Sequence, residues 1–121
     1  SGPYQIKAAI AACHLLPNGS DWPQIAALYD TLLRFEPTPV VQLNRAIAIA
    51  ELGNNDLGLR ILYSLAAELS DYQPYFAALA HLLRAAGQID EARNAYSRAI
   101  ALAASQADAL FLARQRDALP S

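Results

Sequence analysis

Methionine is absent from the 121 residues, cysteine and tryptophan occur once each, and histidine twice. The lone cysteine, Cys13, cannot close an internal disulfide, and His14 and His81 show no metal-ligand spacing. A reducing cytoplasm is therefore the expected location, and no metal or cofactor is expected. Charge is sparse as well. Nine Lys and Arg stand against eleven Asp and Glu, a net charge of −2, and the basic residues are scattered singly. With no basic stripe to neutralise a phosphate backbone, direct nucleic-acid binding by this chain is not expected. No apolar run approaches the roughly 18 residues of a membrane span, so no membrane association is expected. The opening SGPYQIK has no charged-then-apolar leader, and the missing Met fits either loss of an initiator or excision from a longer protein. Enzyme constellations are lacking too: there is no Gly-rich phosphate loop, no carboxylate pair within helical reach, and no Ser or Cys flanked by an obvious base. Cys13 and His14 are sequence neighbours, which places them about 100° apart on a helix and out of direct contact. The chain is not expected to be an enzyme.

What the sequence holds instead is apolar substance, 55% hydrophobic against 17% charged, enough for one folded core at this length. It also holds a period. Small residues recur as Ala12, Ala46 and Ala80, large apolar ones as Leu15, Ile49 and Leu83, glycines as Gly19, Gly53 and Gly87, and large residues again as Leu28, Leu62 and Tyr96. Each series steps by 34 residues, the period of the tetratricopeptide repeat, in which paired antiparallel helices stack with small residues at the close approaches. The expected fold is all-α: a single tetratricopeptide-like domain over 1–121, with repeats at about 5–36, 39–70 and 73–104 and a cap helix at 105–118. Seven helices are expected, at 4–16, 22–36, 39–52, 55–69, 73–86, 88–103 and 105–118, and Gly is expected to end the first helix of each repeat. Asp21 ahead of Pro23, the run EPTP at 36–39 and SQAD at 105–108 supply start and stop signals.

The stretch VVQLNRAIAIAELG, residues 40–53, is apolar on every helical face yet carries Asn44 and Arg45 together. Arg45 has a structural reading, its guanidinium held by Asp30, Glu36 or Asp56. If that pair were buried, Arg45→Ala would cost roughly 3–5 kcal/mol. Asn44 has either a structural role or a role as polar anchor for a docked segment. The aromatic cluster Tyr72, Tyr75, Phe76 reads as inter-repeat packing rather than a stacking platform, since it is expected to lack neighbouring basic residues.

GPYQIKAAIAACH at 2–14 and DWPQIAALYDTLLRFEPTPVVQLNRAIAIAELG at 21–53 resemble the C-terminal extension of one group of bacterial extracytoplasmic-function (ECF) RNA polymerase sigma factors, which append a tetratricopeptide-like domain to two sigma domains. The likeness continues more loosely through YQPYFAALAHLLRAAGQIDEARNAYSRAIALA. It is most specific in Gly-Pro-Tyr-Gln, Asp-Trp-x-x-Ile-x-x-Leu-Tyr-Asp and Pro-x-Val-x-Leu-Asn-Arg-Ala. The resemblance implies a regulatory, protein-binding part of a transcription initiation factor. Its partners would be the sigma domains of the same polypeptide and, indirectly, RNA polymerase, and the DNA-reading domains would lie elsewhere. The rival reading is a stand-alone adaptor that binds an amphipathic helix of an unrelated protein.

Laying the repeat on the sequence gives a concave groove. Its expected lining includes Ile6, Cys13 and Leu16 from the first repeat, Val40, Leu43, Ile47 and Glu51 from the second, and His81 and Arg84 from the third, with Asn44 on an adjacent face. His81 reads equally as a plain surface histidine. Such a trough is mostly apolar and lacks the Lys and Arg clamp for a terminal carboxylate. Its expected cover is an amphipathic helix of the sigma portion, a second copy of the chain in a homodimer, or the chain's own last helix through Leu110, Phe111 and Leu112.

Overall fold

The computed structural model describes residues 2–15 and 19–121. Among the described residues there are seven α-helices and no strand: α1 Pro3–His14, α2 Trp22–Phe35, α3 Pro39–Glu51, α4 Asn55–Ser64, α5 Gln73–Ala85, α6 Ile89–Ala101 and α7 Gln106–Asp117. The starts follow the sequence signals. The Asp21 carboxylate accepts from the Gln24 amide at 3.2 Å, the Thr38 hydroxyl accepts from Val41 at 3.3 Å, and the Ser105 hydroxyl accepts from Asp108 at 3.1 Å. Each satisfies an amide that has no partner inside its own helix. Prolines 3, 23, 39 and 74 all fall in first turns, where the missing N–H costs nothing.

Two helix ends are chemically identical. After α3 the Gly53 amide donates to Ala50 and the Asn54 amide to Ile49. After α5 the Gly87 amide donates to Arg84 and the Gln88 amide to Leu83. This pair of hydrogen bonds back into the last turn is the Schellman arrangement, and it requires a left-handed residue, which glycine supplies at φ 101° and 77°. Gly19 has φ 93° but lies five residues beyond His14, so it does not cap α1 directly. The expected extension of α1 to Leu16, and Leu16 as a groove residue, fall outside the described residues.

Helix α4 stops at Ser64, five residues short of the expected 69. The cause is a side chain: the buried Tyr75 hydroxyl donates to the Leu62 carbonyl at 2.8 Å. That carbonyl would otherwise receive the next α-helical amide. Instead Leu65 and Ala66 donate three residues back, to Leu62 and Tyr63, and the chain turns.

The chain divides into two compact units, residues 1–61 and 62–121, with the boundary inside α4. In the first, α2 packs against both α1 and α3 around Ile6, Ile10, Ile25, Leu32, Val41 and Ala48. In the second, α6 packs against both α5 and α7. Ala80, Ala92 and Ala99 have no exposed surface there, Leu82, Leu83 and Tyr96 fill the space between helices, and Leu112 of α7 joins them. The burial pattern of the expected repeat is thus strong in the second unit and weak at the N-terminus, where Ala12 is exposed and Leu15 is 83% exposed.

Candidate functional site

A pocket of about 390 Å³ opens in the first unit where α1, the end of α2 and the start of α3 meet. Ile10, Leu32 and Val41 form its floor, and all three belong to the buried core. Polar groups stand around that floor. Lys7 on α1 reaches Glu36, the C-cap residue of α2, with Nζ 2.9 Å from Oε2 and 3.1 Å from Oε1. The pair stays partly in water, the side chains being 55% and 32% exposed. Thr38, Val40 and Asn44 line the α3 side, and Tyr29 the α2 side. Burial raises the Tyr29 phenol above its ordinary value of 10.0, so it stays a neutral donor at physiological pH. Among the described residues neither this phenol nor the Asn44 carboxamide takes an intrachain hydrogen-bond partner. An apolar floor under a few convergent polar groups is the usual build of a small-ligand site, and the volume lies at the lower end of that range.

Of the groove residues expected from the sequence, Val40 and Asn44, one helical turn apart, do line this pocket. Ile6 and Leu43 do not lie open: they are 4% and 1% exposed, and Ile6 packs in the core cluster. That corrects their placement. Helix α3 buries Val41, Leu43, Ala46 and Ala48, which spread around its circumference, so its apolar pattern could not tell the outward face from the inward one. Cys13 is half-buried against the core, and Ile47 is half-buried. Glu51 and His81 are exposed, and Arg84 in the second unit donates to the Gln115 side chain at 3.1 Å.

Arg45 pairs with Asp30, Nε to Oδ1 at 2.5 Å, one of the three acids expected for it. The pair is not buried, however, with side-chain exposures of 32% and 61%. A corner of the first unit that sequence reading missed is His14, whose Nδ1 lies 2.9 Å from the Ser20 hydroxyl and whose ring meets Trp22 edge-on at 5.4 Å. Histidine six residues before serine carries no pattern that would have revealed it.

A second cavity of about 290 Å³ lies in the second unit, bordered by Tyr63, Phe76, Leu79, Leu83, Asn94 and Arg98. The expectation that Tyr72, Tyr75 and Phe76 lack a basic neighbour is corrected here. The Arg98 guanidinium sits 5.5 Å above the Phe76 ring, brought there from α6. Tyr75 is 1% exposed and meets Phe76 edge-on at 5.1 Å, so it does serve packing. Burial, and then the Glu91 charge, raise the Tyr63 phenol. Among the described residues no group of three or more His, Cys, Asp or Glu could hold a metal ion, and no helix is long and apolar enough to cross a membrane.

No protein-family model matches the chain. An uncharacterised protein of Rhizobium meliloti (strain 1021) is 42% identical over 121 residues, an alignment that takes in 98% of this chain and 29% of that protein. The chain therefore spans less than a third of the relative it resembles.

Proposed function

We propose that the chain is the regulatory C-terminal part of a bacterial ECF sigma factor: a tetratricopeptide-like solenoid of three repeats with α7 as cap, acting in the cytoplasm through protein contacts that control transcription initiation. The observation that carries this reading is the convergence of the sigma-like stretches. Residues 2–14 and 21–53, separated in sequence by six residues, supply every residue of the pocket in the first unit. The acid that closes Asp-Trp-x-x-Ile-x-x-Leu-Tyr-Asp, Asp30, is bonded to the arginine of Pro-x-Val-x-Leu-Asn-Arg-Ala, Arg45. The second and third motifs are thus in direct contact and both contribute to the pocket, through Tyr29 and through Val41 and Asn44, which favours reading them together. The repeat reading draws support from the two glycine caps, Gly53 and Gly87, one period apart with the same hydrogen bonds. A relative more than three times the length of this chain leaves room for further domains in such a polypeptide.

The gene upstream of Ser1 provides the first test. Sigma domains encoded there support the proposal, whereas a start codon at this point favours the stand-alone adaptor. The second test uses the full-length protein with Ile47→Asp, a half-buried position on α3. Promoter output read from a reporter should change while abundance on an immunoblot and the melting temperature stay close to wild type. Unchanged output would remove α3 from the regulatory surface, and unfolding would place Ile47 in the core.

A further inference from the structure

We propose that the pocket between α1, α2 and α3 is an effector site for a free α-amino acid with a large apolar side chain. The inference stands on the pocket alone and holds whether or not the transcription reading does. Two facing charges of opposite sign mark the rim, the Lys7 ammonium and the Glu36 carboxylate, and among the described residues they are joined only to each other. A partly exposed pair of this kind contributes little to stability, so a ligand can open it at small cost. The ligand that replaces it without stranding either charge must itself be a zwitterion: its carboxylate takes Lys7 and its ammonium takes Glu36. A cation or an anion alone would leave one rim charge facing its own sign or unpaired. Below the rim, Ile10, Leu32 and Val41 offer only hydrocarbon, which selects an aliphatic or aromatic side chain over a polar one. The Asn44 carboxamide, without a side-chain partner among the described residues, then provides both an acceptor for the ligand's ammonium and a donor for its carboxylate. At about 390 Å³ the space suits one such molecule rather than a helix or an extended peptide.

Calorimetric titration of the chain with L-leucine and L-phenylalanine tests the proposal, with glycine, N-acetyl-L-leucine and L-leucinamide as comparators. Saturable binding of leucine or phenylalanine is expected, at least about tenfold tighter than glycine and than either blocked derivative. The variants carry the stronger constraint. Lys7→Gln should weaken leucine binding by about tenfold and abolish the discrimination against leucinamide, which lacks the carboxylate. Glu36→Gln should abolish the discrimination against N-acetyl-leucine, which lacks the ammonium. Both variants should melt like the parent, because the pair they break is partly exposed. The proposal is overturned if no apolar amino acid gives saturable heat up to about 10 mM, a very weak affinity, if the blocked derivatives bind as well as leucine, or if the two variants leave binding unchanged.

Discussion

Arg45 and Asp30 illustrate how exposure sets the value of a charge pair. The contact is short, but both side chains keep water, so Coulomb attraction is screened and the cost of ordering the long arginine side chain offsets much of it. Arg45→Ala should therefore cost under about 1 kcal/mol, and a double-mutant cycle with Asp30→Ala should give a coupling of about 0.2–1 kcal/mol in urea unfolding. A coupling above about 3 kcal/mol would show that the pair is buried after all. Tyr75 is the opposite case. It is 1% exposed and its hydroxyl donates to the Leu62 carbonyl, so Tyr75→Phe removes the donor and leaves that carbonyl with a single weaker partner. A loss of about 1–1.5 kcal/mol is expected from denaturant melts. The same phenol gives a pH signature. Burial, and secondarily the Tyr63 phenolate, raise Tyr75 above 10.0, and burial raises Tyr29. Folded phenols that hold their protons more tightly than unfolded ones contribute stability that is complete below pH 10. This stability is lost as pH rises through the raised folded values. Melting temperature should fall above pH 10, and Tyr75→Phe should flatten that fall.

Among the elements, the two glycine-capped helix ends invite the sharpest comparison. A Cβ added at Gly53 or Gly87 would meet nothing within 4 Å, so any penalty for alanine is purely one of backbone conformation. Gly53→Ala and Gly87→Ala should each cost about 1–2 kcal/mol, and asparagine, which tolerates the left-handed region, should cost less. Equal costs for Ala and Asn in thermal melts would contradict this account. These caps, the prolines and the N-cap side chains are local signals, and they explain why helix starts and most ends were legible in the sequence. Helix α4 was not, because its end is imposed by Tyr75 from another helix. The pocket was only half legible. Val40 and Asn44 stand one turn apart on α3, and the sequence points to both, though it sets Asn44 on an adjacent face; Lys7 and Glu36 are 29 positions apart, on α1 and at the end of α2. No spacing rule joins such a pair. Leu43 went to the wrong face because α3, apolar all round, has no stripe from which to read direction, whereas Ile6 shares the buried stripe of α1 with Ile10.

Over the whole molecule, the decisive quantity is where the basic residues go. The net charge is −2, and among the described residues six of the nine Lys and Arg pair with another side chain: Lys7 with Glu36, Arg45 with Asp30, Arg84 with Gln115, Arg93 with Asp90, Arg98 with Asp71 and Arg116 with Asp117. Five of these six partners are carboxylates, so the local field above each cation is largely cancelled. Binding to duplex DNA depends on several cations releasing condensed counterions together, which produces a steep fall in affinity with salt. Cations already neutralised by neighbouring acids must first lose those acids, and the molecule's own negative excess opposes approach. Fluorescence anisotropy with a labelled duplex of about 20 base pairs should therefore show no saturation below micromolar concentrations at physiological salt, and little salt dependence. If the full-length protein binds a promoter, as the proposed function implies, that binding should survive charge-neutralising substitutions of Arg93 and Arg116 in this chain, because under that proposal the contacts would come from elsewhere in the polypeptide. Sub-micromolar binding by the chain itself, with a slope of several counterions, would mean that these arginines exchange their carboxylates for phosphates and that the charge argument fails.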